Sequence, residues 1–322
     1  MALPGRYWRF YASSATSNLA DGIGRTALPL LAATYTRSPV LISGLVSFAF
    51  LPWLLFALAS GALVDRVDRR HAMAIANALR AVSSAMLAVL VLTDRASILA
   101  IYAASFLLGL AETVYDSASR AILPQVVASS ELDRANSLLT VEETLGQTFL
   151  GAPIGSALFA LAVSIPLLLN ASGFAIAALL VLTLRGSYRP VREVAPGSIR
   201  QEMRDGVRWL VRHEFLRSLT ALSATTALFG GMVNGVLVLY CLETLRLPSP
   251  DFGLVLLLAG VGGIVGGVAA PPLGRRYGRG PALVAAAVVA GVPTAAMGLT
   301  RNGYAARSCS PSRPQASWCG TC

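Results

Sequence analysis

An all-α, polytopic membrane protein is the fold class this sequence predicts. Three observations carry it: nine long apolar stretches, a charged-residue content of only 13%, and arginines gathered at alternate breaks between the stretches. Soluble domains carry about 25% charged residues. With 55% of its 322 residues hydrophobic and a mean hydropathy of +0.65, this chain has too little polar surface to coat a water-soluble globule. A bilayer removes that requirement.

The apolar stretches lie near 10–33, 40–63, 72–93, 96–118, 138–161, 163–184, 216–241, 252–271 and 281–300. Each is long enough to cross a hydrocarbon core at the helical rise. Charge, Pro or Gly marks every break, apart from the short one at Ser164–Pro166. Arg6 and Arg9 precede a first stretch that is too long and too polar for the core of a cleavable signal peptide.

Orientation follows from the basic residues, all 26 of which are Arg. A cytoplasmic N-terminus places Arg6, Arg9, Arg66, Arg69, Arg70, Arg120, Arg134, Arg275, Arg276 and Arg279 on the inner side. The arginines from Arg185 to Arg217 join them. The outer side then receives only Arg37, Arg95 and Arg246 before the tail. That asymmetry predicts a multi-pass protein with a cytoplasmic N-terminus, and the use of Arg without any Lys points to a GC-rich bacterial genome and so to the bacterial plasma membrane. It assigns the net charge of +10 to anionic membrane lipid rather than to nucleic acid.

The polar segment 185–217 divides the chain. Residues 1–184 read as a six-helix bundle, 185–215 as a cytoplasmic linker and 216–300 as an incomplete three-helix bundle. Within the linker, Ser198 and Gln201 have capping-box spacing. Arg200, Arg204, Arg208 and Arg212 recur every four residues opposite Ile199, Met203, Val207, Leu210 and Val211. This is a basic amphipathic helix suited to a membrane surface, or simply a connector with a solvated face. Asp65-Arg66-Val67-Asp68-Arg69 after span two has a faint echo in Arg275-Arg276-Tyr277-Gly278-Arg279 after span eight, the sign of a parallel repeat.

Residues 301–322 are rich in Ser, Pro, Cys and Trp without helical period, where a tenth span is expected. The expectation is a truncated or frameshifted end. Cys319 and Cys322 form one CxxC with no second pair, and Cys241 and Cys309 stand apart, so no metal site and no cofactor is predicted. His71 and His213 have no nucleophile or metal constellation around them in sequence, and no enzyme activity is predicted.

Intramembrane charges are costly and usually functional. Asp21 lies midway along span one beside Ser13, Ser14, Thr16, Ser17 and Asn18. Glu112, Asp116 and Arg120 share one face of span four at i, i+4 spacing. Arg80 lies roughly 13 Å into span three; it can pair with Asp21 or Glu112, or snorkel to the interface. Asp21 and Glu112 are the candidate proton carriers, with Arg80 and Asn18 in the same presumptive cavity. In span five, Gly146, Gly151, Pro153 and Gly155 offer a flat face for close helix packing, with Pro153 bending the helix.

Gly61-Ala62-Leu63-Val64-Asp65-Arg66-Val67-Asp68-Arg69-Arg70 resembles the signature loop G-x-L-x-D-R-x-G-R-R of the major facilitator superfamily, with Asp68 in place of the usual Gly. Gly151-Ala152-Pro153-Ile154-Gly155 resembles the Gly-Pro motif of its exporter branches, although Ser156 stands where a second Gly is usual. Leu19-Ala20-Asp21-Gly22, Ala27-Leu28-Pro29-Leu30, Ala111-Glu112, Leu123-Pro124 and Arg134-Ala135-Asn136-Ser137-Leu138 are similar to multidrug, macrolide and siderophore exporters of that superfamily. The resemblance covers nearly all of residues 6–300. It implies a fold of twelve helices, of which about nine are present here. It also implies a conformational latch of Gly61, Asp65, Arg66, Arg69 and Asp116, which in the family packs against helix eleven. The implied activity is proton-coupled efflux of small amphipathic molecules, with protons, a small-molecule substrate and membrane lipid as partners. The alternative expectation is a non-transporting membrane remnant or interaction protein.

Overall fold

The computed structural model describes residues 3–189 and 199–214, with scattered positions up to 240. The chain divides into two compact units, 1–261 and 262–322, and every described residue belongs to the first. Most of span seven, all of spans eight and nine, the tail with its cysteines, Arg275–Arg279 and the capping residue Ser198 lie outside the described residues.

Apart from turns and connections, the described residues form helices, in the order α1 (Gly5–Tyr35), α2 (Pro39–Val64), α3 (Arg69–Leu92), α4 (Ile98–Val126), α5 (Leu132–Thr144), a π-helical segment (Leu145–Gly151), α6 (Ala152–Leu161), α7 (Ser164–Leu182) and α8 (Ile199–Arg212). Five stretches are long and apolar enough to cross a membrane: Val40–Val64, Arg69–Leu92, Ile98–Val126, Ser129–Leu161 and Ser164–Leu182. α1, at 31 residues, is long enough as well but too polar to qualify on composition. Its polar side chains face protein: it packs on α7, α5, the π segment and α6, and Ser13, Ser14 and Ser17 are buried.

Local sequence explains the boundaries. Pro39 opens α2, where its missing N–H costs nothing. Asp68 caps α3 by accepting from the Arg70 backbone N–H at 3.0 Å, and Ser97 caps α4 by accepting from Ala100 N–H at 3.2 Å. The tight α3–α4 turn places Asp94 at φ 55°, a conformation that Asp tolerates better than most residues.

α3 shows why the bundle needs lipid. Ile75, Leu79, Val82, Met86 and Val89 recur at three- and four-residue steps and are exposed, whereas Met73, Asn77, Arg80, Ser84 and Leu87 on the other face are buried. The apolar stripe faces out and the polar stripe faces in. α2 likewise exposes Leu54 at 82% and Leu55 at 55%. Exposed apolar surface on this scale marks a membrane-facing boundary.

Two apolar clusters close the ends of the bundle. One holds Tyr7, Phe10, Met73, Tyr115, Ile122 and Val181; the other holds Leu30, Leu31, Ile42, Leu45, Leu87 and Ile101. Between them, level with residues 13–26 of α1, lies a buried polar belt.

The π-helical segment is the main departure from the expected span five, which also begins earlier than predicted, at the turn Ser129–Glu131. Pro153 lacks the N–H that would continue the α pattern, and the wider turn precedes it. Small residues bring this segment against α1. A Cβ placed on Gly151 would lie 2.6 Å from Gly22 Cα, one on Gly155 2.7 Å from the Ile23 carbonyl oxygen, and one on Gly146 3.2 Å from Leu19 N. At Gly61, by contrast, a Cβ meets nothing within 4 Å among the described residues.

Candidate functional site: a charge network between two cavities

Arg80 is the largest fully buried side chain of the described bundle, at 0% exposure. It does not snorkel. Its Nη2 lies 3.0 Å from Asp21 Oδ2 and 3.8 Å from Glu112 Oε2, so both acids weighed as its partner hold it. Nη1 donates to Ser17 Oγ at 3.1 Å and to Asn77 Oδ1 at 3.4 Å. The guanidinium carbon also sits 4.7 Å from the Phe174 ring centroid and 5.4 Å from that of Tyr115, within cation–π range. A buried guanidinium needs this density of partners, because an unpaired one is strongly disfavoured.

Glu112 has a second cationic partner, Arg25, which donates to its Oε1. Two acids therefore meet two guanidinium groups across three helices, α1, α3 and α4. The network opens into a cavity of about 480 Å³ lined by Asp21, Arg25, Glu112 and Gln147 together with Phe50, Trp53 and Leu108. Asn170 of α7 anchors its wall: it donates to the Ala20 carbonyl at 2.6 Å and accepts from Ser84 Oγ. Charged groups at one end of a mostly apolar chamber suit an amphipathic ligand.

A second, more polar cavity of about 340 Å³ lies nearer the N-terminal end of α1, walled by α1, α4 and α5. Asn18 connects the two. Its Oδ1 accepts from Gln147 Nε2 of the first cavity at 3.0 Å, and its Nδ2 donates to Glu142 Oε1 of the second at 3.0 Å. Asp116 and Arg120 line this second cavity rather than joining Glu112 in the first. The i, i+4 face of α4 thus spans both chambers.

The α2–α3 loop lies at the end of the bundle where α1 begins. Arg69 Nη2 is 3.8 Å from Asp65 Oδ1, and its Nη1 donates to the Ala121 carbonyl of α4 at 3.0 Å. Arg69 thus reaches α4 through a backbone carbonyl and not through Asp116, the partner that the resemblance implies. Arg66 follows in the exposed part of the loop. Asp68 accounts for the missing motif glycine: besides capping α3, its Oδ2 accepts from the Tyr188 backbone N–H at 3.3 Å and holds the segment after α7 against the loop. Three other arginines cap helix C-termini at this end: Arg6 donates to Val126 O at 2.7 Å, Arg9 to Thr183 O at 3.3 Å and Arg70 to Leu184 O at 2.7 Å. Cations suit those carbonyl ends electrostatically.

The family model described as Major Facilitator Superfamily matches residues 10–308. The chain belongs to the major facilitator superfamily. Superfamily membership makes it a multi-pass membrane transporter of small molecules and not an enzyme. The multidrug efflux pump Tap of Mycolicibacterium fortuitum is 27% identical over 287 residues, an alignment covering 86% of this chain and 69% of Tap. A crystal structure of the nucleoside transporter NupG superposes with a TM-score of 0.67 at 13% identity, covering 85% of this chain and 69% of NupG. A bacterial homolog of the human lysosomal transporter Spinster, in an inward-facing and unoccupied conformation, gives 0.65 at 13% identity, covering 86% of this chain and 65% of its own. At such identities these two structures speak for the fold alone.

Within this major facilitator bundle, sequence reasoning singled out Asp21, Arg80, Glu112 and Asn18, and the structure brings all four to the polar belt. It missed Arg25 and Glu142. Arg25 stands one helical turn beyond Asp21, and Glu142 falls inside span five. The test for charges at membrane depth applies to both, and would have found them.

Proposed function

We propose that this major facilitator is a proton-coupled exporter of small amphipathic compounds, with Asp21 as the proton-carrying group and Glu112 as its partner. The observation that carries the reading is the sharing of one buried guanidinium, Arg80, between these two carboxylates on the wall of a mostly apolar cavity. When Asp21 takes a proton, Arg80 loses one counter-charge and is left with Glu112, while Ser17 and Asn77 keep its other terminal nitrogen in place. When the proton leaves, the Asp21–Arg80 pair re-forms. A carboxyl removed from water responds strongly to such a change in neighbouring charge. Arg80 belongs to α3 and Asp21 to α1, so proton loading is coupled to a helix contact. The similarity to Tap favours efflux of drug-like molecules over uptake.

Under this proposal the N-terminus is cytoplasmic and the membrane is the bacterial plasma membrane. The arginines that cap α4 and α7 support that orientation by gathering at one end. Residues 1–184 form the first bundle, 185–215 the cytoplasmic linker and 216–300 part of a second bundle. Asp65, Arg66 and Arg69 hold the loop end of the first bundle, and Gly146, Gly151, Pro153 and Gly155 set the approach of α5–α6 to α1.

The test is transport by the purified chain in liposomes with an imposed pH gradient, followed by ethidium accumulation and a trapped pH dye. Gradient-driven ethidium movement with counterflow of protons, both lost in D21N, is the expected result. Ethidium movement that ignores the gradient, or survives D21N undiminished, would refute the proton-coupled reading.

A further inference from the structure

Asp21 and Glu112 face the same buried guanidinium, but they are not equivalent. Glu112 presents each of its oxygens to a different arginine: Oε1 accepts from Arg25 Nη2, and Oε2 lies 3.8 Å from Arg80 Nη2. Asp21 has Arg80 alone within ion-pair distance, through Oδ2, and its Oδ1 makes no hydrogen bond among the described residues. Two cations therefore bear on one acid and a single cation on the other. An opposite charge within about 4–6 Å favours the ionised form of a carboxyl group, and Glu112 has two such charges at its two oxygens.

Helix geometry sets this difference. Arg25 stands four residues after Asp21 on α1, so the two side chains leave one face a turn apart. Asp21 then meets Arg80 of α3, and Arg25 meets Glu112 of α4. Arg80 is sealed in, with 1% of its side chain exposed, whereas Arg25 keeps 49% and lines the first cavity. Among the described residues, Asp21, Arg25 and Glu112 are the charged groups on that cavity. α2, α7 and the π-helical segment offer it uncharged side chains such as Trp53, Asn170 and Gln147. Asp116, one turn along α4 from Glu112, lines the second cavity instead. The balance of charge around the two acids is thus set by Arg80 and Arg25.

We propose that Arg25 is the positioning residue that reserves proton exchange for Asp21: by engaging Glu112 it holds that carboxylate as the standing counter-ion of Arg80 and leaves Asp21 as the acid that loads and releases the proton. The inference rests on the transporter reading of Asp21 and adds the group that selects it over Glu112. Without the charge of Arg25, one guanidinium would serve two acids, and neighbouring carboxyl groups that lack cations cannot both stay ionised. Glu112 would then take up a proton as well.

Infrared difference spectroscopy of the purified full chain in detergent, titrated across the neutral range, tests it by reading protonated carboxyl groups through their C=O stretch. Signal that disappears when E112Q is added belongs to Glu112. The parent is expected to show none of it. R25Q is expected to reveal it, with the proton affinity of Glu112 raised at least about tenfold. R25K, which keeps the positive charge, is expected to match the parent. D21N/R25Q, in which one acid faces one cation, keeps the test decisive if R25Q fails to fold, and the Glu112 signal is expected there too. A folded R25Q or D21N/R25Q without a Glu112 signal overturns the proposal. So does a Glu112 signal already present in the parent, and so does R25K behaving like R25Q, since a merely structural arginine would be missed equally in both. A Glu112 signal that appears only when the charge of Arg25 is lost, in a chain that moves no ethidium, sustains the hold of Arg25 on Glu112 and sinks the exporter reading. Ethidium movement with proton counterflow, and no such signal in R25Q, does the reverse.

Discussion

Asp21 Oδ2 of α1 and Arg80 Nη2 of α3 lie 3.0 Å apart at the centre of the bundle, although the two residues are far apart in sequence. Each justifies the other's presence in an apolar setting, because a buried ion stripped of its partner is far less stable than either the pair or two apolar residues. The pair also has a fixed audience: Ser17 and Asn77 hold Nη1 of the same guanidinium, so Arg80 has little freedom to follow a displaced carboxylate without breaking further contacts.

The first prediction concerns that arginine. R80A leaves Asp21 facing no charge on α3 and should destabilise the protein by about 3–5 kcal/mol. R80A combined with D21N should recover part of the loss. Thermal unfolding in detergent, read by tryptophan fluorescence, measures both; independent, additive losses would mean that the pair is not coupled. R80K should fall between, since a single ammonium cannot hold both the acids at Nη2 and the Ser17 and Asn77 acceptors at Nη1.

A second prediction separates glycines that pack from one that does not. G151A and G155A push a methyl group against Gly22 Cα and the Ile23 carbonyl, and each should cost about 1–3 kcal/mol. G61A meets open space in the described bundle and should lie within about 0.5 kcal/mol of the parent. Melting temperatures of the three variants settle the comparison.

How much of this was legible beforehand depends on what kind of signal each residue leaves. Spans two to six left a strong one, since length and apolar content are one-dimensional properties that the bilayer imposes on every crossing helix. Span one was legible as well, but only because Asp21 and its hydroxyl neighbours interrupt an otherwise apolar stretch. Arg80 was recognisable as an intramembrane charge, while its partners were not: choosing between Asp21 and Glu112 needs the rotation of three helices about their axes, and sequence holds no direct record of that. Arg25 was overlooked because arginines were weighed at span ends, where most of them lie. The π-helical turn at Leu145–Gly151 had a partial sign in Pro153, but a proline predicts a bend more readily than the form the bend takes. Asp68 read as a departure from a motif. Only the fold shows that its carboxylate joins the Arg70 and Tyr188 N–H groups.

That last contact yields a third prediction. D68A removes the cap of α3 and the acceptor for Tyr188 and should cost about 0.5–2 kcal/mol. D68G should restore the motif without restoring either bond. Equal stability of D68A and the parent, measured by thermal unfolding, would show that the contact is incidental.

The fourth concerns orientation. In a background lacking the native cysteines, R66C and S129C should react with a membrane-impermeant maleimide only after the cells are opened. R95C and S97C, in the turn at the other end of the bundle, should react on intact cells. Labelling of R66C and R95C from the same side would be incompatible with the helical order of α1 to α4.

The most direct test of the central claim is proton release on substrate binding, followed with a pH indicator in weakly buffered detergent solution. If Asp21 exchanges its proton against Arg80 and substrate, ethidium binding to the parent should release protons in a saturable way, and D21N should release none while still binding dye. Identical release from parent and D21N would place proton exchange elsewhere and contradict the role given to the Asp21–Arg80 pair.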